Sequence, residues 1–167
     1  MTLDVFNALS VEAARGELLR CCGCERWAAD VLAARPFKDK AALLAASDAA
    51  WARTEEPDWR EALSHHPRIG GKDALREKFA ATRAWAKGEQ AGAAAASEKV
   101  LDALASGNAA YEKKFGHIFV VCATGKSAAE MLDLLKSRMP NGAAAELRVA
   151  AGEQHKITKI RLEKLIS

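Results

Sequence analysis

The sequence predicts an all-α fold: a single compact multi-helix domain over residues 1–167, with one buried extended segment. Three observations predict it. Alanine-rich stretches repeatedly place apolar residues three or four positions apart, the spacing that lines one face of a helix. Cap residues and glycines punctuate those stretches at helix-length intervals. Only one run, His117-Ile118-Phe119-Val120-Val121-Cys122, is rich in β-branched and aromatic residues, and no second run is available to pair with it as a strand.

Taken in order, Thr2 or Asp4 caps a short opening turn carrying Leu3 and Phe6. Ser10 is the N-cap of a helix with Val11, Ala14, Leu18 and Cys21 on one face, broken by Gly23. The next helix presents Trp27, Val31 and Leu32 and stops before Pro36. Asp39 caps a third, with Leu43, Leu44 and Trp51 inward. Pro57 suits the first turn of a fourth, which carries Trp59 and Leu63.

That helix leads into Ser64-His65-His66-Pro67-Arg68-Ile69-Gly70-Gly71. Pro67 ends a helix, since it lacks an N–H and disfavours α geometry in the residue before it. Gly70 and Gly71 allow a sharp turn. Spacing leaves two readings open: a helix-ending turn with two incidental histidines, or an imidazole held at a helix end for proton chemistry.

Asp73 caps a helix with Leu75, Phe79 and Thr82 on one side. Gly88 and Gly92 flank Glu89-Gln90, and an alanine run extends a helix through Val100, Leu101 and Leu104. Ser106-Gly107-Asn108 is expected to interrupt it, with Tyr111 and Phe115 on a further short helix. The stretch Ile118 to Cys122, between Gly116 and Gly125, must satisfy its N–H and C=O groups without a partner strand, and a ligand could serve. Ser127 to Glu130 is a capping box for a helix through Met131, Leu134 and Leu135, closed by Pro140-Asn141-Gly142. The last helix, from about Ala143 to Leu165, is expected to turn Leu147, Ala150, Ile157, Ile160 and Leu165 inward.

A net charge of +3 is too mild to argue for nucleic acid, and no apolar run is long enough to span a bilayer. Met1 to Leu9 has neither the basic region nor the apolar stretch of a signal peptide, so a cytoplasmic location is expected. Cys21, Cys22 and Cys24 cluster without a second group at zinc-ligand spacing, which reads as buried reduced thiols and no metal.

What remains for chemistry is dispersed: His66-Pro67, Glu89-Gln90, Ile118 to Cys122, and Arg161. Taken alone, Glu89 reads as a carboxylate in a helix's first turn and Arg161 as a surface arginine. Together with Phe115-Gly116-His117 and Ile157-Thr158-Lys159-Ile160-Arg161-Leu162, their order and spacing resemble the decarboxylases of 2-oxo-4-hydroxy-4-carboxy-5-ureidoimidazoline (OHCU) over nearly the whole chain. The resemblance implies a cofactor-free carboxy-lyase of urate degradation that yields (S)-allantoin. It implies His66 as catalytic acid/base and a catalytic Glu89 that accepts hydrogen bonds from ureido or ring N–H groups and orients the substrate or His66. It implies substrate contacts from Pro67, Ala86, Gln90 and Arg161, and from Ile118, Phe119, Val120, Val121 and Cys122 through their backbone. The family pattern Ser-x-x-Glu-Gln has Ala86 in the serine position here, so one hydroxyl contact is absent. The implied partner is a small ureidoimidazoline, with no nucleic acid or membrane, and homodimers occur among such proteins. Two rivals remain: a helical protein-interaction module without catalysis, and a metal or redox module on the cysteine cluster.

Overall fold

The structure, a computed structural model, describes residues 1–68, Leu75 and residues 91–167, with side chains from residue 98 in that last stretch. The expectations for Gly70, Gly71, Asp73, Phe79, Thr82, Ala86, Glu89 and Gln90 lie outside the described residues. Eight helices are present among the described residues, with no strand. The chain clusters into two compact units, Met1–His66 with Leu147–Ser167, and Pro67–Glu146.

The first unit holds α1 (Leu3–Ala8), α2 (Val11–Cys21), α3 (Glu25–Ala33), α4 (Lys40–Trp51), α5 (Glu56–Ser64) and most of α8 (Ala143–Leu165). Its helices start where their caps dictate. Thr2, Ser10 and Asp39 accept from Val5, Ala13 and Asp39's own third neighbour Ala42, the last at 2.7 Å. Pro57 sits in the first turn of α5, behind a Glu55/Asp58 capping box. Phe6, Leu18, Trp27, Val31, Leu43 and Leu162 are wholly buried, each stabilising the unit by roughly 1.5–3 kcal/mol or more. The Trp27 indole N–H is satisfied by Ser47, whose carbonyl and hydroxyl lie 3.3 and 3.2 Å away.

Cys21, Cys22 and Cys24 are buried in this core as free thiols, as their spacing predicted. Gly23 between them does more than end α2: a Cβ there would sit 2.4 Å from the Cβ of His65, so its lack of a side chain lets the end of α5 pack close. One expectation fails in detail: Val11 is 63% exposed, because it stands at the very start of α2. Leu44 and Trp51 pack against the core half-buried, Trp51 also stacking on His155 at 5.8 Å between ring centroids.

The second unit holds α6 (Ala91–Phe115), α7 (Ala128–Arg138) and the first turn of α8. Leu75, Leu101, Leu104, Met131, Leu132 and Leu135 form its core. The expected break at Ser106-Gly107-Asn108 does not occur: α6 runs through it to Phe115. A mid-helix glycine costs only about 1 kcal/mol against alanine, and here it allows a close helix crossing. A Cβ on Gly107 would lie 2.9 Å from Leu135 of α7. α6 ends at Gly116, whose φ of +73° few other residues adopt and whose N–H bonds the Glu112 carbonyl at 2.9 Å. Ile118 to Cys122 follows outside any helix or strand, with Val120 buried and its neighbours half-buried.

The Ser127/Glu130 capping box opens α7, and α8 covers Ala143 to Leu165, both as the sequence predicts. The buried face of α8 is displaced from the expected one. Leu147, Ala150, Ala151, Gln154, Thr158 and Leu162 are buried, whereas Ile157, Ile160 and Leu165 are half-buried. The apolar count of isoleucines misplaced the stripe, because two polar residues sit at its centre and bond one another. No helix among the described residues is long and apolar enough to cross a membrane.

Candidate functional site

In the first unit, α5 ends at Ser64 with His65 as C-cap. The next residue turns inward: His65 is exposed and His66 half-buried. The His66 backbone N–H still reaches the Leu63 carbonyl at 3.3 Å, so the helix end fixes the position of its ring. Ring atom Nε2 hydrogen-bonds Oε1 of Gln154. The Gln154 amide nitrogen donates in turn to the Thr158 hydroxyl at 3.0 Å, and that hydroxyl donates to the Gln154 backbone carbonyl at 3.0 Å. Gln154 and Thr158 are fully buried. Burial pushes the Cys22 thiol up to about 12. It stays protonated at neutral pH.

Arg161 lies seven residues beyond Gln154, which returns it to nearly the same face of α8 two turns later. It is half-buried and donates from Nη1 to the Cys21 carbonyl at 3.1 Å. A guanidinium has several N–H donors in a planar fork, so one bond to a carbonyl orients it and leaves capacity for an anion. The first unit thus brings His66 and Arg161 onto one helix, through Gln154 and directly. Pro67 follows His66 as an exposed residue.

In the second unit, Ile118 to Cys122 is anchored by a buried charged cluster. Arg138, in the last turn of α7, donates to the Val120 carbonyl at 2.8 Å, to Glu146 at 2.7 Å and to the Tyr111 hydroxyl at 3.2 Å. Tyr111 donates to the same Glu146 oxygen, and Asn141 donates to the other at 2.8 Å. The Arg138 guanidinium also lies over the Phe119 ring, 4.6 Å from its centroid. Burial pushes the Glu146 carboxyl upward, but hydrogen bonds from Arg138, Tyr111 and Asn141 outweigh it and hold the group below the usual carboxylate range. Burial, with the bond to Glu146, raises Tyr111 far above the ordinary phenol value. The cluster therefore stays ion-paired at neutral pH.

The sequence-based expectation gives no site role to Gln154, Thr158, Arg138, Glu146 or Tyr111. A faint signal existed for two of them: Gln154 and Thr158 fall at the helical spacing of Leu147, Ala150 and Leu162. For Arg138 no local signal distinguishes a buried guanidinium from a basic residue complementing a helix C-terminus. Glu89, Gln90 and Ala86 lie outside the described residues.

One group of described side chains could hold a cation: Cys24, Asp58 and Glu61, whose ligand atoms lie within 4.8 Å of one another. Each already serves a helix end or a salt bridge. Cys24 Sγ accepts from the Trp27 N–H, Asp58 from Arg26 and the Glu55 N–H, and Glu61 from the Glu25 N–H. Burial also raises the Cys24 thiol above its usual value, which disfavours the thiolate a metal needs.

A family profile described as OHCU decarboxylase matches residues 7–163. The uric acid degradation bifunctional protein TTL of Arabidopsis thaliana is 37% identical over 161 residues, 95% of this chain and 49% of that protein. The 2-oxo-4-hydroxy-4-carboxy-5-ureidoimidazoline decarboxylase of Amia calva is 35% identical over 103 residues, 60% of this chain and 57% of that protein. The chain thus spans about half the length of the curated relatives it matches. A crystal structure of OHCU decarboxylase in the presence of (S)-allantoin aligns with a TM-score of 0.69 at 34% identity, covering 89% of this chain and 96% of that one. A crystal structure of (S)-allantoin synthase shares the fold, with a TM-score of 0.68 at 19% identity over 99% of this chain and 54% of that one. With the profile spanning nearly its whole length, the chain belongs to the OHCU decarboxylase family.

Proposed function

We propose that the chain decarboxylates 2-oxo-4-hydroxy-4-carboxy-5-ureidoimidazoline to (S)-allantoin without a cofactor, as one catalytic domain over residues 1–167. The observation that carries this reading is the half-buried His66, held at the end of α5 by Gln154, in a chain of this family. The family match crosses both compact units, which supports a single domain.

The substrate needs little from the protein. The carbon that loses CO2 bears a hydroxyl and adjoins a C=N bond, so the electron pair left by the departing carboxylate flows into that imine. Protonation of one face of the resulting intermediate then gives a single enantiomer. The protein must orient the carboxylate out of the conjugated plane, exclude water and manage a proton, which are tasks of positioning and general acid/base chemistry. We assign the acid/base role to His66, with a catalytic Glu89 that orients the substrate or His66, and carboxylate or ring-oxygen binding to Arg161. Pro67, Ala86 and Gln90 would line the substrate. The backbone of Ile118 to Cys122 would pair with its amide edges, Val120 being anchored from behind by Arg138. A reducing compartment such as the cytosol suits the buried thiols of Cys21, Cys22 and Cys24. A homodimer is the assembly the family resemblance suggests, and sedimentation velocity measures it.

Incubating the protein with freshly generated substrate and recording allantoin by circular dichroism tests the reading. The expected result is rapid, enantiomerically pure (S)-allantoin. Racemic product at the spontaneous rate would reject catalysis and leave a helical interaction module.

A further inference from the structure

We infer that Gln154, oriented by Thr158, sets the tautomer of His66, so that Nε2 carries a fixed proton. The inference deepens the catalytic reading of His66 and rests on it. It follows from counting hydrogens along a buried chain.

Thr158 has one hydroxyl proton, and it is committed to the Gln154 backbone carbonyl one helical turn earlier, at 3.0 Å. Its oxygen can then only accept. It does so from the Gln154 side-chain nitrogen at 3.0 Å. With its NH2 turned to Thr158, the Gln154 amide must present its carbonyl oxygen to His66. A carbonyl oxygen cannot donate, so the bond forms only if Nε2 carries the hydrogen.

The Gln154 and Thr158 side chains carry no charge, which matters for the chemistry. A carboxylate in place of Gln154 would hold the imidazolium and discourage proton release. The amide orients the ring while favouring the charged form far less. Gln154 is therefore a positioning residue, acting on the substrate through His66, and Thr158 positions Gln154.

The test reads the tautomer directly. Histidine 15N shifts are recorded by two-bond 1H–15N correlation above the ring's titration, His66 being assigned by the peaks lost in His66→Asn. The expected result is an Nε2-protonated pattern in the unmodified protein and in Thr158→Ser, which keeps the hydroxyl. Thr158→Val should lose the single tautomer and lose kcat about three- to tenfold, the range for one neutral hydrogen bond, with KM within about twofold. An Nδ1-protonated pattern in the unmodified protein overturns the inference, and that measurement requires no variant to fold. So does a Thr158→Val protein unchanged in spectrum or in kcat. Full turnover by His66→Asn alongside the expected tautomer would instead sink the catalytic reading of His66 and leave the tautomer assignment standing.

Discussion

The two compact units each bury a polar network, and the networks are built from opposite materials. In the first unit a chain of uncharged groups, Thr158–Gln154, ends on a titratable ring, His66. In the second, a charged cluster of Arg138, Glu146 and Tyr111 ends on a backbone carbonyl, that of Val120. The difference fits the proposed roles of the two ends. A ring proposed to exchange protons is best held by groups that tolerate both of its states, whereas a carbonyl that only needs to stay in place can be held by the strongest bonds available. Buried ion pairs supply such bonds and are intolerant of losing a partner.

The largest effect should therefore come from breaking the charged cluster. Arg138→Met leaves Glu146 buried without its cation, and Glu146→Gln leaves Arg138 without its anion. We expect each to lower unfolding free energy by about 3–5 kcal/mol in urea titrations. Arg138→Met/Glu146→Leu should recover a large part of that loss, and strictly additive losses would show that the pair is not coupled. The pH dependence has a definite sign. Because Glu146 is depressed in the folded state, its contribution is present above the unfolded carboxylate value and is lost as pH falls through its folded value. Acid denaturation of Glu146→Gln should therefore lack that part of the acid limb.

Next comes the neutral chain's terminus. His66→Asn should cost at least ~100-fold in turnover, the low end for general acid/base catalysis. His65→Asn should stay near the unmodified rate, because His65 is exposed at the helix end. Equal losses would reject the distinction between the two rings. Neither variant should alter stability as Arg138→Met does, which separates the role of this network from that of the other.

A smaller effect is expected from the buried thiols. Alanine at Cys21, Cys22 or Cys24 should lower stability through lost packing while activity survives exhaustive chelation. Stoichiometric zinc by elemental analysis, with activity lost on its removal, would contradict this. Burial holds Cys21 at about 11 and Cys22 at about 12, so both should resist iodoacetamide in the folded protein at pH 8. The smallest effect belongs to Ala86→Ser. A restored hydroxyl contact contributes on the order of 0.5–1.5 kcal/mol, enough to lower KM severalfold with little change in kcat. A collapse of kcat at constant KM would show instead that residue 86 packs tightly and does not face substrate.

Local chemistry carried most of the architecture. Thr2, Ser10, Asp39 and the Ser127/Glu130 box cap the helices predicted for them, because a cap is a bond between residues three apart and needs nothing else in the chain. Spacing left both histidines at the helix end open, and the structure has His65 exposed and His66 half-buried. Where the reading failed, it failed on a distant partner. Ser106-Gly107-Asn108 looks like a break, and only the approach of Leu135 makes Gly107 a reason for the helix to continue. Ile157 and Ile160 looked like the inner face of α8, and the buried centre of that face is the polar pair Gln154 and Thr158.

The sequence by itself determined the helical class, the cap positions, the helix-end histidine and, through its motifs, the family. Tertiary structure alone decided which polar residues are buried and what they hold. Arg138 and Lys136 are both basic residues in the last turn of α7, yet only Arg138 meets a carboxylate, a phenol and a carbonyl inside the unit. Gln154 and Glu153 are adjacent, yet only Gln154 points to His66. Burying a polar group is unfavourable unless its partners are already in place. Those partners come from residues up to 88 positions away in the chain, a separation over which local sequence pattern carries no information.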